Sequence, residues 1–384
     1  MDQCGKKKIA FVLDGAMVGG LEMALTQMLR KIDTDRYEIS LFTNVRGNPC
    51  IGQIPECIRI VDLDDLDLRT HFFAALRNGK LCRAAKLLLC YVKLRLSKSE
   101  FEKVKYAQEP FPLSEELYDC AIAYRASWES VLWVMDHIKA RKKAVWVHGT
   151  IWGCREQKWV ERADKIFCVS EDMKRYIERI CPEVVGKTET FYNLLDSEQI
   201  ATKAGKGLDF GEGITLVTVG RLSSEKGQDM IPQTMRYLLD AGYQAKWYVV
   251  GDGAMRGQIE QLCRELDVEE NVILTGTKNN PYPYIKGCDI YVQTSYAEGW
   301  GLTVQEAKIL HKPIVTTDIP VMKEQFTHMK NGYITKGVSP ESLFEGIKML
   351  IDNPALCEKF VEELKKENHD NSQELEKLYA YIES

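Results

Sequence analysis

The sequence predicts an α/β protein built from two parallel-sheet domains, and three observations carry that expectation. Residues 288–320, CDIYVQTSYAEGWGLTVQEAKILHKPIVTTDIP, read as strand, glycine loop, helix and strand, one unit of a parallel sheet. Similar units recur in two series, one from Lys8 to Tyr192 and one from Ile214 to Thr317. Between them, residues 197–213, SEQIATKAGKGLDFGEG, are polar, glycine-containing and weakly periodic, and read as an interdomain linker. A chain of 384 residues with 45% hydrophobic content is long enough for two cores.

In the first series, a basic start leads into only about five apolar residues before Asp14, too few for a secretory signal. That run is expected as a first strand, Lys8–Leu13. A glycine-containing loop, Asp14–Gly20, and a helix, Leu21–Ile32, follow it. Gly19 and Gly20 suit the close approach of an anion, and equally a plain tight turn. Their spacing is not that of a dinucleotide fingerprint. Strands are expected at Glu38–Thr43 and Ile58–Leu63.

Residues 71–108 break the rhythm. Nine lysines and arginines lie between Arg77 and Lys105, against Glu100 and Glu102, with apolar residues at helical spacing among them. Such a basic amphipathic helix suits an anionic bilayer surface or an acidic acceptor; a solvated surface helix is the alternative. Strands resume at Tyr118–Tyr124, Lys143–Val147 and Ala163–Ser170. A helix, Glu171–Ile180, and a strand, Lys187–Tyr192, close the series. His148 follows the second of these strands at its carboxyl end, where catalytic groups of α/β folds sit, although a lone histidine is as readily structural.

The second series runs Ile214–Val219, loop 220–227, helix Gln228–Ala241, strand Ala245–Val250, helix Met255–Leu266 and strand Val272–Thr275. It then reaches the unit at 288–320, with strand Asp289–Thr294, helix Leu302–Leu310 and strand Pro313–Thr317. Gly299 and Gly301 let backbone approach a ligand. The amides of Leu302 and Thr303 open a helix, a ready phosphate site. Glu306, one turn inside, could accept two hydrogen bonds from a ribose diol, or be a solvated helix-face glutamate. Arg221 and Lys226, in a loop at a strand's carboxyl end, could clamp a diphosphate. Gly251-Asp252-Gly253 with Gly257 has the wrong spacing for dinucleotide binding.

Global properties exclude several classes. A net charge of −5 argues against nucleic acid as a partner. The 12 cysteines are scattered without metal-type spacing, so they are expected to be reduced and the protein cytoplasmic. No run reaches the ~18 apolar residues that a membrane span requires.

Taken together, Glu298-Gly299-Trp300-Gly301…Glu306 resembles the E-x7-E signature of retaining glycosyltransferase family 4, of bacterial polysaccharide or glycolipid type. VGRLSSEKG (Val219–Gly227), VVGDG (Val249–Gly253) and KPIVTTD (Lys312–Asp318) are similar to that family in order and spacing. So are Gly19-Gly20-Leu21-Glu22, VHG at 147–149, ADKIFCVSE at 163–171 and YNLLD at 192–196. The resemblance covers about residues 8–350 and implies the GT-B fold, two Rossmann-like domains facing across a cleft. Residues 1–198 would be the acceptor domain, with a C-terminal helix at about 369–384 packing back on it. Residues 199–368 would bind the donor, a UDP-sugar or a GDP-sugar.

The resemblance also implies roles. Arg221 and Lys226 would neutralise the leaving diphosphate, with the amides of Leu302 and Thr303 and the Gly19-Gly20 loop holding it. Glu298 and His148 would meet the donor sugar, Glu306 the ribose, and Lys278 would border the base. Gly299 and Gly301 shape the donor loop, and Trp300 departs from the smaller residue common there. The expected activity is metal-independent, cofactor-free retaining transfer to a saccharide or lipid-linked saccharide, with membrane contact through residues 77–105. A sugar-nucleotide epimerase and a non-catalytic sugar-nucleotide-binding protein are the alternatives.

Overall fold

A computed structural model describes residues 5–14, 19–46, 50–64, 67–111, 114–149 and 159–384. Residues 15–18 of the first glycine loop lie outside the described residues. The chain divides into two compact units: Met1–Val169, Met173–Tyr192 and Ser372–Ser384 form unit 1, and Ser170–Asp172 with Asn193–Asn371 form unit 2.

Unit 1 contains a seven-stranded sheet: β1 (Lys7–Leu13), β2 (Tyr37–Thr43), β3 (Arg59–Asp62), β4 (Ser114–Ala123), β5 (Ile138–Val147), β6 (Lys165–Cys168) and β7 (Thr188–Thr190). Its order is β3-β2-β1-β4-β5-β6-β7, with every pairing parallel. The chain winds outward from β1 on one side and from β4 on the other. The central strands are buried on both faces, which is why they read as continuous apolar runs rather than alternating ones.

The basic segment is three helices, not one: Leu68–Arg77, Leu81–Leu96 and Glu100–Gln108. Asn78 and Gly79 end the first, Gly79 with φ +68°, a stop signal of the kind glycine supplies after a last helical turn. Asp67 caps its start by accepting the Thr70 amide at 2.8 Å.

The C-terminal helix, Glu374–Glu383, belongs to unit 1. Leu375, Leu378 and Ile382 are buried, and Tyr379 stacks on Tyr37 of β2 with ring centroids 5.0 Å apart. Lys142 Nζ donates to the Tyr381 carbonyl at 2.7 Å.

Unit 2 contains β8 (Ile214–Val219), β9 (Ala245–Val250), β10 (Val272–Gly276), β11 (Ile290–Gln293), β12 (Ile314–Thr316) and β13 (Tyr333–Ile334). The order is β10-β9-β8-β11-β12-β13, again parallel throughout. Two strands, β8 and β9, have the expected bounds residue for residue. The two-residue β13 was not expected at all.

The supposed linker at 197–213 opens with a helix, Ser197–Ala204. Asp196 caps it by accepting the Gln199 amide at 2.9 Å, and Ile200 and Ala204 are buried. This Asx cap and the i, i+4 apolar pair override the polar composition. The division of the chain accordingly falls at Tyr192/Asn193, ahead of the expected 198/199, and at Asn371/Ser372.

The docked C-terminal helix supports a stability prediction. Leu378 has no exposed surface, so Leu378→Ala should cost about 3 kcal/mol in urea unfolding. An unchanged midpoint would mean that the helix is not anchored on unit 1.

Candidate functional site

Strand order sets the site in unit 2. β8 and β11 are neighbours although β9 and β10 intervene in sequence, so the chain reverses direction across the sheet between them. The loops that follow, 220–227 and 294–301, therefore leave adjacent strands at the carboxyl edge, where α/β sheets bind ligands. Backbone geometry ties the loops together. Thr294 Oγ1 donates to the Lys226 carbonyl at 2.7 Å, and the amides of Tyr296 and Ala297 donate to the Glu225 carbonyl at 2.9 and 3.2 Å. Gly227 has φ +64°, and a Cβ there would lie 2.2 Å from the Thr294 carbonyl oxygen, so glycine is required.

Lys226 and Glu298 form the centre of this junction. Glu298 Oε1 accepts from Lys226 Nζ at 2.7 Å and from Gln293 Nε2 and Ser295 Oγ at 2.8 Å each. Its Oε2 accepts from the same lysine at 2.8 Å. The glutamate side chain is only 5% exposed, and four hydrogen bonds offset the cost of that burial. Lys226 is thus already paired rather than standing open. Arg221 is more than half exposed and reaches Glu225 at 3.3 Å, an exposed pair of small energetic weight.

The helix Leu302–Ile309 begins at Gly301, whose φ of +83° is the left-handed conformation natural to glycine. The amides of Val304 and Gln305 bond back to the Gly301 carbonyl. Those of Leu302 and Thr303 have no backbone acceptor among the described residues and form the positive end of the helix. Trp300 is buried, and its carbonyl accepts from Gln325 Nε2.

One helical turn on, Glu306 is 7% exposed, and its Oε1 accepts from the Tyr282 hydroxyl at 3.2 Å. Burial raises its pKa from 4.5 to about 7, which the Tyr282 hydrogen bond offsets only in part. It is not the solvated helix-face residue that the sequence left open. Lys278 is exposed beyond β10 and makes no ion pair among the described residues.

Three side chains of this junction, Tyr282, Gln293 and Ser295, escaped the sequence reading. Gln293 ends β11 and Ser295 follows two positions on, a spacing that puts both on one face of an extended chain and could have flagged them. Tyr282 lies in a short helix, Tyr282–Gly287, and carries no local signal.

The remaining residues lie in unit 1. His148 directly follows β5; its ring packs against Tyr124 at 4.7 Å and bonds the Tyr124 backbone. Burial lowers its pKa to about 3, so the imidazole is neutral. Its Nε2 is buried with no hydrogen-bond partner among the described residues. Gly19 precedes the helix Gly20–Lys31 in extended backbone open to any residue. A Cβ there would meet Glu22 Oε2 at 3.0 Å.

Two parallel sheets, with a paired carboxylate and lysine beside a helix N-terminus at a strand reversal, define a class of α/β protein whose candidate site lies at the carboxyl edge of a sheet. The comparisons narrow this class. Residues 200–367, all within unit 2, match the model of the family Glycosyl transferases group 1. A Campylobacter jejuni N-acetylgalactosamine-N,N'-diacetylbacillosaminyl-diphospho-undecaprenol 4-alpha-N-acetylgalactosaminyltransferase is 28% identical over 171 residues, 44% of this chain and 46% of that one. The chain spans about half the length of the curated relatives it matches.

Two solved structures share the fold over nearly the whole chain. A variant of S. aureus TarM, in complex with Fondaparinux, alpha-GlcNAc-glycerol and UDP, has a TM-score of 0.73 at 15% identity, covering 98% of this chain and 100% of that one. Anabaena Alr3699/HepE, in complex with UDP, has a TM-score of 0.68 at 17% identity, covering 98% and 99%. The chain, with its two parallel-sheet units, therefore has the GT-B fold.

The raised pKa of Glu306 has a sign that can be tested. The unfolded carboxyl loses its proton near pH 4.5 and the folded one near about 7. Stability from the neutral form is full below pH 4.5 and is lost as pH rises through about 7. Glu306→Gln cannot ionise, and between about pH 5 and about pH 8 it should gain roughly 3 kcal/mol relative to the parent in urea unfolding. Parallel pH profiles would mean that Glu306 titrates as an exposed acid.

Proposed function

We propose that the protein is a retaining glycosyltransferase that moves a sugar from a nucleotide-diphosphate sugar, a UDP-sugar by preference, to a hydroxyl of a saccharide or lipid-linked saccharide. The observation that carries this reading is the junction of β8 and β11: Lys226 paired to Glu298, beside the open helix N-terminus at Leu302 and the buried Glu306. The group 1 match over residues 200–367 supports it. So do the UDP complexes of the structural neighbours and the diphospho-undecaprenol acceptor in the Campylobacter relative's name.

In this mechanism the glycosidic bond loosens as positive charge grows on the sugar and negative charge on the departing diphosphate. Amides of Leu302 and Thr303 meet the phosphates. Lys226 and Arg221 stabilise the charge that develops, without a metal or other cofactor. Lys226 does so while held in place by Glu298, so little reorganisation is needed at the moment of reaction. Glu298 and His148 take hydroxyls of the sugar. The neutral imidazole suits this role, since Nε2 can bond a hydroxyl without competing for the proton being transferred. The leaving phosphate itself accepts the acceptor proton. Lys278 borders the base, and Glu306, when ionised, accepts both ribose hydroxyls.

A thermal-shift panel with UDP, GDP, ADP and NAD tests the donor class. UDP at about 100 times its Kd should stabilise the fold by about 2.7 kcal/mol; a response to NAD alone, or to none of the four, would sink the reading. Lys226→Ala or Arg221→Ala should lower turnover roughly 10²-fold, whereas near-normal kcat would remove them from the diphosphate. Glu306→Ala should mainly weaken UDP binding, and unchanged affinity would remove it from the ribose. In the parent, UDP affinity should fall as pH drops below about 7, because a protonated carboxyl loses one acceptor.

A further inference from the structure

The helices Leu68–Arg77 and Leu81–Leu96 of unit 1 have an unusual surface. From Leu68 to Ser99 the sequence contains eight lysines and arginines and no aspartate or glutamate, in a chain whose net charge is −5. Among the described residues, Arg77, Lys80, Arg83, Lys86 and Lys98 have no ion-pair partner. At 100° per residue, Leu81, Leu88, Leu89, Val92 and Leu96 fall within one stripe of the second helix. All five are exposed, Leu81 and Leu96 to 69% and 77%. The opposite face, with Ala84, Leu87 and Cys90, packs into the unit 1 core. Phe73 and Leu76 extend the exposed apolar surface onto the preceding helix. Lys86 and Lys93 flank the stripe on one side and Arg95 on the other.

A cavity of about 280 Å³ lies beside it, lined by Arg69, Tyr91, Leu94 and Arg95 among others. Arg69 Nη2 and Arg95 Nε both donate to the Tyr91 hydroxyl, at 2.8 and 3.1 Å, so two guanidinium groups converge on one point. Asp67 also lines the cavity, but its carboxylate is engaged by the Thr70 amide and hydroxyl.

An apolar stripe with cations at its margins matches the layered chemistry of a lipid headgroup region. A polynucleotide face would place the cations at the centre. The 16-residue helix is ~24 Å long, shorter than a bilayer core. Among the described residues no helix is long and apolar enough to cross a membrane, so this one would lie in the interface plane. We propose that these two helices dock unit 1 on an anionic phospholipid bilayer, the exposed leucines entering the acyl boundary and Arg69 with Arg95 holding a lipid phosphate.

Co-sedimentation of the full chain with vesicles tests this without any sugar donor, so its failure leaves the transferase reading untouched. The protein should sediment with phosphatidylcholine vesicles containing phosphatidylglycerol, more weakly with phosphatidylcholine alone, and less as salt rises. Leu88→Glu combined with Leu89→Glu, at exposed positions where melting should be unaffected, should weaken binding roughly 100-fold. Arg95→Gln should weaken it about fivefold. No sedimentation with phosphatidylglycerol vesicles at low salt would overturn the proposal. So would binding that survives the double substitution with its melting temperature intact, or retention on DNA without vesicle binding.

Discussion

A carboxylate removed from water must be answered by donors, and Glu298 shows what that requirement organises. Its four hydrogen bonds come from Lys226 after β8, from Gln293 in β11 and from Ser295 just beyond it. Two loops more than sixty positions apart in sequence are thereby held in one arrangement. Each partner would be left with a buried, uncompensated charge or dipole if the other moved, which is the costly outcome for such pairs. The helix that starts at Leu302 inherits its position from this junction, and with it the direction of its free amides.

The same short segment presents a second carboxylate in a different state. Glu306 has the Tyr282 hydroxyl as its donor and is nearly enclosed, so burial prevails and the proton is held up to about pH 7. Among the described residues one acid accepts four side-chain hydrogen bonds and the other one. That asymmetry holds the loop at Glu298 and leaves Glu306 with spare acceptor capacity. Gly227 and Gly301 make it geometrically attainable. Both take up positive φ, and at Gly227 the neighbouring loop passes too close for any side chain.

Unit 1 uses burial in the same way with another group. The aromatic cluster of Tyr124, Trp146, Phe167 and Phe191 encloses His148 from one side. The low dielectric keeps the imidazole neutral, and among the described residues Nε2 has no hydrogen-bond partner. Hydrophobic packing here tunes a polar atom rather than merely filling space.

Much of this was legible in the chain. The largely apolar runs Ile214–Val219 and Ala245–Val250 mark β8 and β9 to the residue, because Gly213 and Gly220 bound the first and Gln244 and Gly251 the second. Gly227 and Gly301, the lysine at 226 and the glutamates at 298 and 306 all stand out as loop chemistry between a strand and a helix. Other signals were present but overridden by composition: Asn78-Gly79 splits the basic segment, and Asp196 starts a helix where polarity suggests a linker. What tertiary structure alone decided is who meets whom. Strand order placed β8 against β11, paired Lys226 with Glu298, and brought Tyr282 to Glu306. Burial then set the protonation of Glu306 and His148. These outcomes depend on distances across the sheet and on exclusion of water, neither of which local periodicity encodes.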